Sequence, residues 1–186
     1  MRNKIIDNPY EPEIIQKFLK ENLEEKRYLG KQQVNYVQRF NHEAQMYLNE
    51  GLLDIEPGRW DFEFFRSNAN VLHHTDLIPG NSGELGFILP LRWEGHQPAT
   101  IMYNWYTRRR VQYAGNNQIA YCDTDEIVDL DLDSLRETLV FEWDTEKAFI
   151  FDCEQLHSAR KFVEGWKEFI VAFQVDSSVY KSVEVY

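Results

Sequence analysis

The segment Asn70-Val71-Leu72-His73-His74-Thr75-Asp76 is where the chain declares its organisation. In an extended backbone successive side chains alternate between faces, so His74 and Asp76 point one way and His73 and Thr75 the other. An imidazole and a carboxylate two residues apart, at the end of an apolar run, make two thirds of a metal site. The third ligand is expected from Glu154-Gln155-Leu156-His157, which follows the apolar, strand-like run Ala148-Phe149-Ile150-Phe151. Two imidazoles and a carboxylate on one face of an ion leave the opposite positions open to reacting ligands. His73 would need the other face of the same strand and reads as structural. His42 and His96 fall in a predicted helix and a turn and read as surface residues. Taken alone, His74 and Asp76 fit a core histidine and a turn-forming aspartate better; the addition of His157 and then Lys167, in order, shifts the reading to a metal site.

Around that segment lie many short runs of strand character. Candidates are 60–66, 69–75, 85–92, 99–106, 111–114, 118–122, 138–143, 147–152 and 168–176. Turn signals separate them at Pro79-Gly80-Asn81-Ser82-Gly83, Glu94-Gly95-His96-Gln97-Pro98, Gly115-Asn116-Asn117 and Asp144-Thr145-Glu146. Short strands in such a series predict a sandwich or barrel, with a jelly roll as the double-sheet form. Before them, Pro9 and Pro12 lead into a helix over 9–24, with Ile14, Ile15, Phe18 and Leu19 at helical spacing. A second helix is expected from Lys31 to Glu50, with Val37, Phe40, Ala44, Tyr47 and Leu48 on one stripe and Gly51 as its stop. The chain thus reads as one mainly β domain: a helical N-terminal support over 1–55 and a jelly-roll core over 60–178.

Composition bounds what such a domain can do. A hydrophobic fraction of 43% with 15% aromatics argues for a packed globule. The formal charge of −11 would repel a phosphate backbone, so broad nucleic-acid binding is disfavoured. Two cysteines, Cys122 and Cys153, give no disulfide framework and suggest a reducing compartment. Cys153 and His157 could open a zinc site, but no second pair completes it. Neither a signal peptide nor a membrane-spanning stretch is evident, so a soluble, cytoplasmic protein is expected.

Two charged segments need a reading. Asp123 to Asp133 carries six acids in eleven residues, but no register supplies both the Gly and the Glu of an EF-hand loop. It reads as a solvated connector, with Ser134 and Glu137 as a capping box for a turn of helix. Arg108-Arg109-Arg110 could steer an anionic substrate or form salt links to that acidic segment. Tyr103 and Asn104, on a central strand, are candidates for contact with a co-substrate.

The ordered set His74, Asp76, His157 and, ten positions beyond, Lys167 resembles the Fe(II)- and 2-oxoglutarate-dependent dioxygenases. The likeness is closest from Phe149 to Val175: a strand, the distal His, a turn, then Gly165-Trp166-Lys167 opening the next strand. It extends over roughly residues 60 to 178 and implies the same jelly roll. It also implies Fe(II) on His74, Asp76 and His157, 2-oxoglutarate as co-substrate and O2 as oxidant. In the prolyl-4-hydroxylase branch Lys takes the place of the usual Arg that holds the far carboxylate of 2-oxoglutarate, which implies that role for Lys167. Arg160 is the competing cation. Hydroxylation of a small molecule or a peptidyl residue is the implied outcome, and Asp76 argues against halogenation, whose enzymes lack that carboxylate. A cupin-type metalloprotein without 2-oxoglutarate chemistry and a non-enzymatic jelly-roll binding module stay open as alternatives.

Overall fold

Apolar side chains alternate along Trp60, Phe62 and Phe64, all buried, and so set a strand with one face against a core. The same logic repeats through the chain. In a computed structural model, residues 3–29, 35–77, 84–160 and 164–175 are described. They form β1 (Lys4–Asp7), helix α1 (Pro12–Glu21), β2 (Arg27–Tyr28), β3 (Tyr36–Arg39), helix α2 (His42–Leu53) and β4 (Arg59–Ser67). Then follow β5 (Leu85–Gly95), β6 (Ala99–Tyr106), β7 (Val111–Gly115), β8 (Gln118–Tyr121), β9 (Glu137–Glu142), β10 (Lys147–Asp152), β11 (Gln155–Ala159) and β12 (Gly165–Val175).

The major sheet has the order β1-β10-β5-β12-β4-β3-β2, and every pairing in it is antiparallel. Facing it are β11-β6-β9 and the hairpin β7-β8. These two pieces are joined by His74, which bridges His157 of β11 on one side and Gln112 of β7 on the other. One core cluster fills the space between the sheets, with Ile88, Phe149, Phe151 and Val171 meeting Met102 and Phe141. A second lies on the outer face of the major sheet, where Ile15, Phe18, Ala44, Leu48 and Leu52 of the helices cover Phe62, Phe87, Leu89 and Ile170. The fold is therefore the expected double-sheet jelly roll with flanking helices, and the helices cover the sheet without entering the space between the sheets.

Several boundaries differ from expectation. The second helix begins at His42, where Asn41 accepts a hydrogen bond from the Ala44 amide at 3.1 Å as its N-cap. Tyr36–Arg39 is instead a strand, because β4 offers it a partner edge. With β1 and β2, the N-terminal 55 residues contribute three strands to the major sheet as well as two helices. The expected strand 69–75 reduces to bridges at His74. His157 lies within a strand of its own, β11, and the last strand begins earlier, at Gly165. The connector after β8 ends in a 3-10 turn, Leu132–Ser134, capped by the side chain of Asp131; Ser134 ends the turn, so the Ser134–Glu137 capping box does not form. Its acids are exposed while Val128 and Leu132 are buried beneath them. The turn at 79–83 and the start of the expected helix at 31–34 lie outside the described residues. Among the described residues no helix is long and apolar enough to cross a membrane.

Candidate metal centre

β11 pairs with β6 so that His157 stands opposite Met102 and faces the space between the sheets, 3% exposed. His74 and His157 exchange both backbone hydrogen bonds, at 2.9 and 3.0 Å, and this holds their rings 4.2 Å apart. On the opposite flank the Thr75 amide donates to the Val111 carbonyl at 3.1 Å, and the Thr75 hydroxyl accepts from the Val111 amide at 3.0 Å. Residues 74 and 75 are thus fixed from both sides although their segment is not a continuous strand. Alternation then turns Asp76 to the same side as His74.

Each imidazole is oriented by a carbonyl two residues upstream. His74 Nδ1 lies 2.7 Å from the Leu72 oxygen and His157 Nδ1 lies 2.9 Å from the Gln155 oxygen. A carbonyl oxygen only accepts, so both Nδ1 atoms carry a proton and both rings present Nε2 to Asp76. The carboxylate stands 3.2 Å from His74 Nε2 and 3.1 Å from His157 Nε2. In neutral imidazoles of this tautomer the Nε2 lone pairs face a carboxylate, which is repulsive unless a proton or a cation lies between. One donor atom from each of the three residues falls within 4.8 Å of the others. Three neighbouring ligands at about 2.1 Å from an octahedral ion would be about 3 Å apart, and the two imidazole–carboxylate separations, 3.2 and 3.1 Å, match that spacing.

The electrostatics agree. Burial raises the Asp76 pKa, but the two imidazoles outweigh it and hold the carboxyl well below the usual carboxylate range. Burial lowers the His74 pKa, yet the Asp76 carboxylate more than reverses this and leaves it raised. Phe151 meets His157 edge-on at 5.1 Å and stacks on Phe149, which stacks on Phe141, forming a dry wall beside the triad.

Sequence reasoning missed the support behind His157. Gln155 is fully buried; its side-chain amide donates to the Tyr103 carbonyl and to the Thr138 hydroxyl at 2.9 Å, and accepts from Asn3 at 2.6 Å. This fixes the backbone whose carbonyl orients the imidazole. No local pattern announces a contact between residues 3 and 155.

The remaining candidates separate clearly. Lys167 lies on the inward face of β12 with Phe169 and Val171, 2% exposed, its Nζ 5.7 Å from the centre of the Trp143 ring. Burial pushes its pKa down to about 8. Arg160 instead grips Glu142 with both guanidinium nitrogens, at 2.8 and 2.5 Å, in an exposed position. Tyr103 packs on His73 at 4.9 Å and reaches the Ser158 hydroxyl at 3.0 Å, on the face of the sheet away from His157. Asn104 accepts from the Arg136 amide at 2.9 Å, before β9. Arg109 pairs with Asp123 at 2.8 Å and lies over the Tyr121 ring, so the salt-link reading holds for this arginine. Cys122 and Cys153 are free, and the triad is the one cluster of such ligands among the described residues.

The sequence matches no family model and no curated protein. Solved structures do share the fold. An oxidoreductase of the 2OG-Fe(II) oxygenase family from Burkholderia pseudomallei matches at TM-score 0.56 and 11% identity, over 92% of this chain and 84% of that one. The non-heme alpha ketoglutarate dependent carbocyclase SnoK of nogalamycin biosynthesis matches at 0.59 and 12%, over 95% and 81%. A Pseudomonas putida prolyl-4-hydroxylase matches at 0.52 and 9%, over 93% and 91%. Against Escherichia coli ycfD the chain spans 51% of the other chain's length. At these identities the likeness establishes a common fold.

Proposed function

We propose that this chain, which has the fold of the 2OG-Fe(II) oxygenases, is itself an Fe(II)- and 2-oxoglutarate-dependent oxygenase that hydroxylates a substrate yet to be identified. One observation carries the reading: both imidazoles are held by carbonyls with Nε2 aimed at the Asp76 carboxylate, an arrangement that calls for a proton or a metal cation between them and suits the latter. Two His and one carboxylate with open positions are the donor set of non-haem Fe(II) oxygenases. When bound there, Fe(II) with 2-oxoglutarate and O2 supplies the oxidising power for C–H hydroxylation, with succinate and CO2 as co-products.

The chain's own residues would do the rest. Leu72 and Gln155 carbonyls keep the two imidazoles in the ligating tautomer. Asp76 offsets the charge of the ion. Phe141, Phe149 and Phe151 exclude water from one side of the site. Lys167 would hold the far carboxylate of 2-oxoglutarate: it lies on the inward face of β12 with Phe169 and Val171, and it stands at the position where the prolyl-4-hydroxylase branch carries a lysine for that role. The Arg160 guanidinium, already engaged with Glu142, is the poorer candidate. We further propose a single domain, since the N-terminal helices share one core with the major sheet, and a cytoplasmic setting, on the strength of the two free cysteines.

Purified protein given Fe(II), ascorbate and 2-oxoglutarate is expected to release succinate slowly even without substrate. His157→Ala and Asp76→Ala should abolish that release; equal release from wild type and both variants would sink the proposal. Iron bound at the triad with no binding of 2-oxoglutarate would point to a cupin-type metalloprotein, and neither metal nor 2-oxoglutarate to a binding module.

A further inference from the structure

Between residues 70–74 and β7 the minor sheet parts. The two segments are tied at His74–Gln112 and at Thr75–Val111, and beside these ties lies a cleft of about 380 Å3. Its walls include Asn70, Leu72, Arg110, Gln112 and Tyr113, and one of them is His74 itself. The cleft therefore opens directly on a residue of the triad, and its volume falls in the range that seats one small molecule. Leu72 and Val71 place exposed apolar surface along it, 50% and 37% exposed.

Arg110 gives the cleft its sign. Its neighbour Arg109 is neutralised by Asp123 and Glu126. Among the described residues no carboxylate lies within 4.0 Å of the Arg110 guanidinium, although the chain carries eleven more acids than bases. The positive field of Arg110 reaches His74. A cation beside a metal-binding residue is unfavourable in isolation, and an anion seated between them would offset it. A guanidinium also offers paired donors that fit a carboxylate or a phosphate.

We propose that this cleft seats the substrate and that Arg110 selects it: a small molecule with a short aliphatic body and an anionic group, carboxylate or phosphate. Arg110 would grip the anion, Leu72 and Val71 would line the aliphatic part, and the carbon to be oxidised would lie towards His74. The proposal rests on the oxygenase reading for its chemistry, but not for its binding test.

That test uses four probes of matched size, propionate, ethyl phosphate, propylamine and 1-propanol, added at constant ionic strength to the metal-free, 15N-labelled full chain. Propionate or ethyl phosphate should move the amide signals of Leu72, His73, Gln112 and Tyr113, and which of the two binds more tightly identifies the anion. Propylamine and propanol should leave those signals in place. Arg110→Ala should weaken the anion response at least tenfold, Arg110→Lys should recover part of it, and Arg108→Ala should retain it. No response to either anion, an equal response to propanol, or an undiminished response in Arg110→Ala would each overturn the assignment. A second arm loads the protein with Zn(II) and adds 2-oxoglutarate. Cleft signals that then move, and that depend on Arg110 but not on Lys167, would make Arg110 the co-substrate anchor and would also overturn it. Because the first arm needs no metal, failure of succinate release and failure of anion selection are separate results.

Discussion

A buried ammonium is costly, and Lys167 shows how that cost can serve binding. Burial holds its pKa near about 8, below the ordinary 10.5. Between those values the unfolded chain binds more protons than the folded one, so this residue makes stability rise with pH across that window. A carboxylate placed beside it would favour the charged form, so binding of 2-oxoglutarate above pH 8 should be accompanied by proton uptake. Calorimetry in buffers of different ionisation enthalpy should detect that uptake in wild type and lose it in Lys167→Met. Lys167→Ala should raise the KM for 2-oxoglutarate at least tenfold and leave metal binding intact; if Arg160→Ala has that effect instead, the assignment moves to Arg160. At this scale the meeting of His74, Asp76 and His157 was legible, because residue type and two-residue alternation carry that information, whereas Lys167 was pointed to by the family resemblance alone. Gln155, Asn3 and the division of labour in Arg108-Arg109-Arg110 were not legible. The first two depend on hydrogen bonds between distant segments, and the last on where the hairpin turns each guanidinium.

Strands bounded by turn residues were read almost to the residue, whether partly alternating like β6 or continuously apolar like β10. The failures lie where two periods fit the same letters. Val37, Phe40, Ala44, Tyr47 and Leu48 suit a helix, while Tyr36-Val37-Gln38-Arg39 suits a strand equally well, and only the edge of β4 decides. The Asn41 cap then starts α2, so Asn41→Ala should cost about 1 kcal/mol in denaturant unfolding, read as a lower midpoint with unchanged slope. A harsher break is expected where β5 meets β12. Gly165 has φ +103°, and a Cβ there would stand 1.9 Å from the Glu94 carbonyl oxygen. Gly165→Ala should therefore destabilise by about 2–3 kcal/mol. It should also weaken 2-oxoglutarate binding, since Lys167 follows two residues later on the same strand. Loss of stability with unchanged 2-oxoglutarate affinity would show that the strand absorbs the strain before reaching Lys167.

The largest consequence concerns the whole molecule. The triad joins residues 81 positions apart, from His157 to Asp76, and His74 is the bridge that unites the two pieces of the minor sheet. An ion held there would cross-link the facing sheet, so its binding free energy would appear as stability of the fold. With metal at a hundred times its dissociation constant the gain is about 2.7 kcal/mol, and in a chain of this length that should raise Tm by about 5–10 °C. The pH dependence distinguishes an ion from a proton. His74, with its pKa raised above 6.5, stabilises the metal-free fold below that pH and loses the contribution as pH rises through its folded value. Asp76, with its pKa lowered below 3.8, contributes above that pH and loses its effect as pH falls through its folded value. The metal-free triad should thus contribute most between about 3.8 and 6.5. A metal competes with the His74 proton, so its effect on Tm should grow as pH climbs past 6.5 and vanish in acid. Thermal unfolding with Fe(II) under argon, or with Zn(II), should show that opposite trend in wild type and no metal effect in Asp76→Ala. If Tm is indifferent to metal above pH 6.5 while unfolding stays reversible, the triad is a hydrogen-bonded clasp for the sheet and not a metal centre.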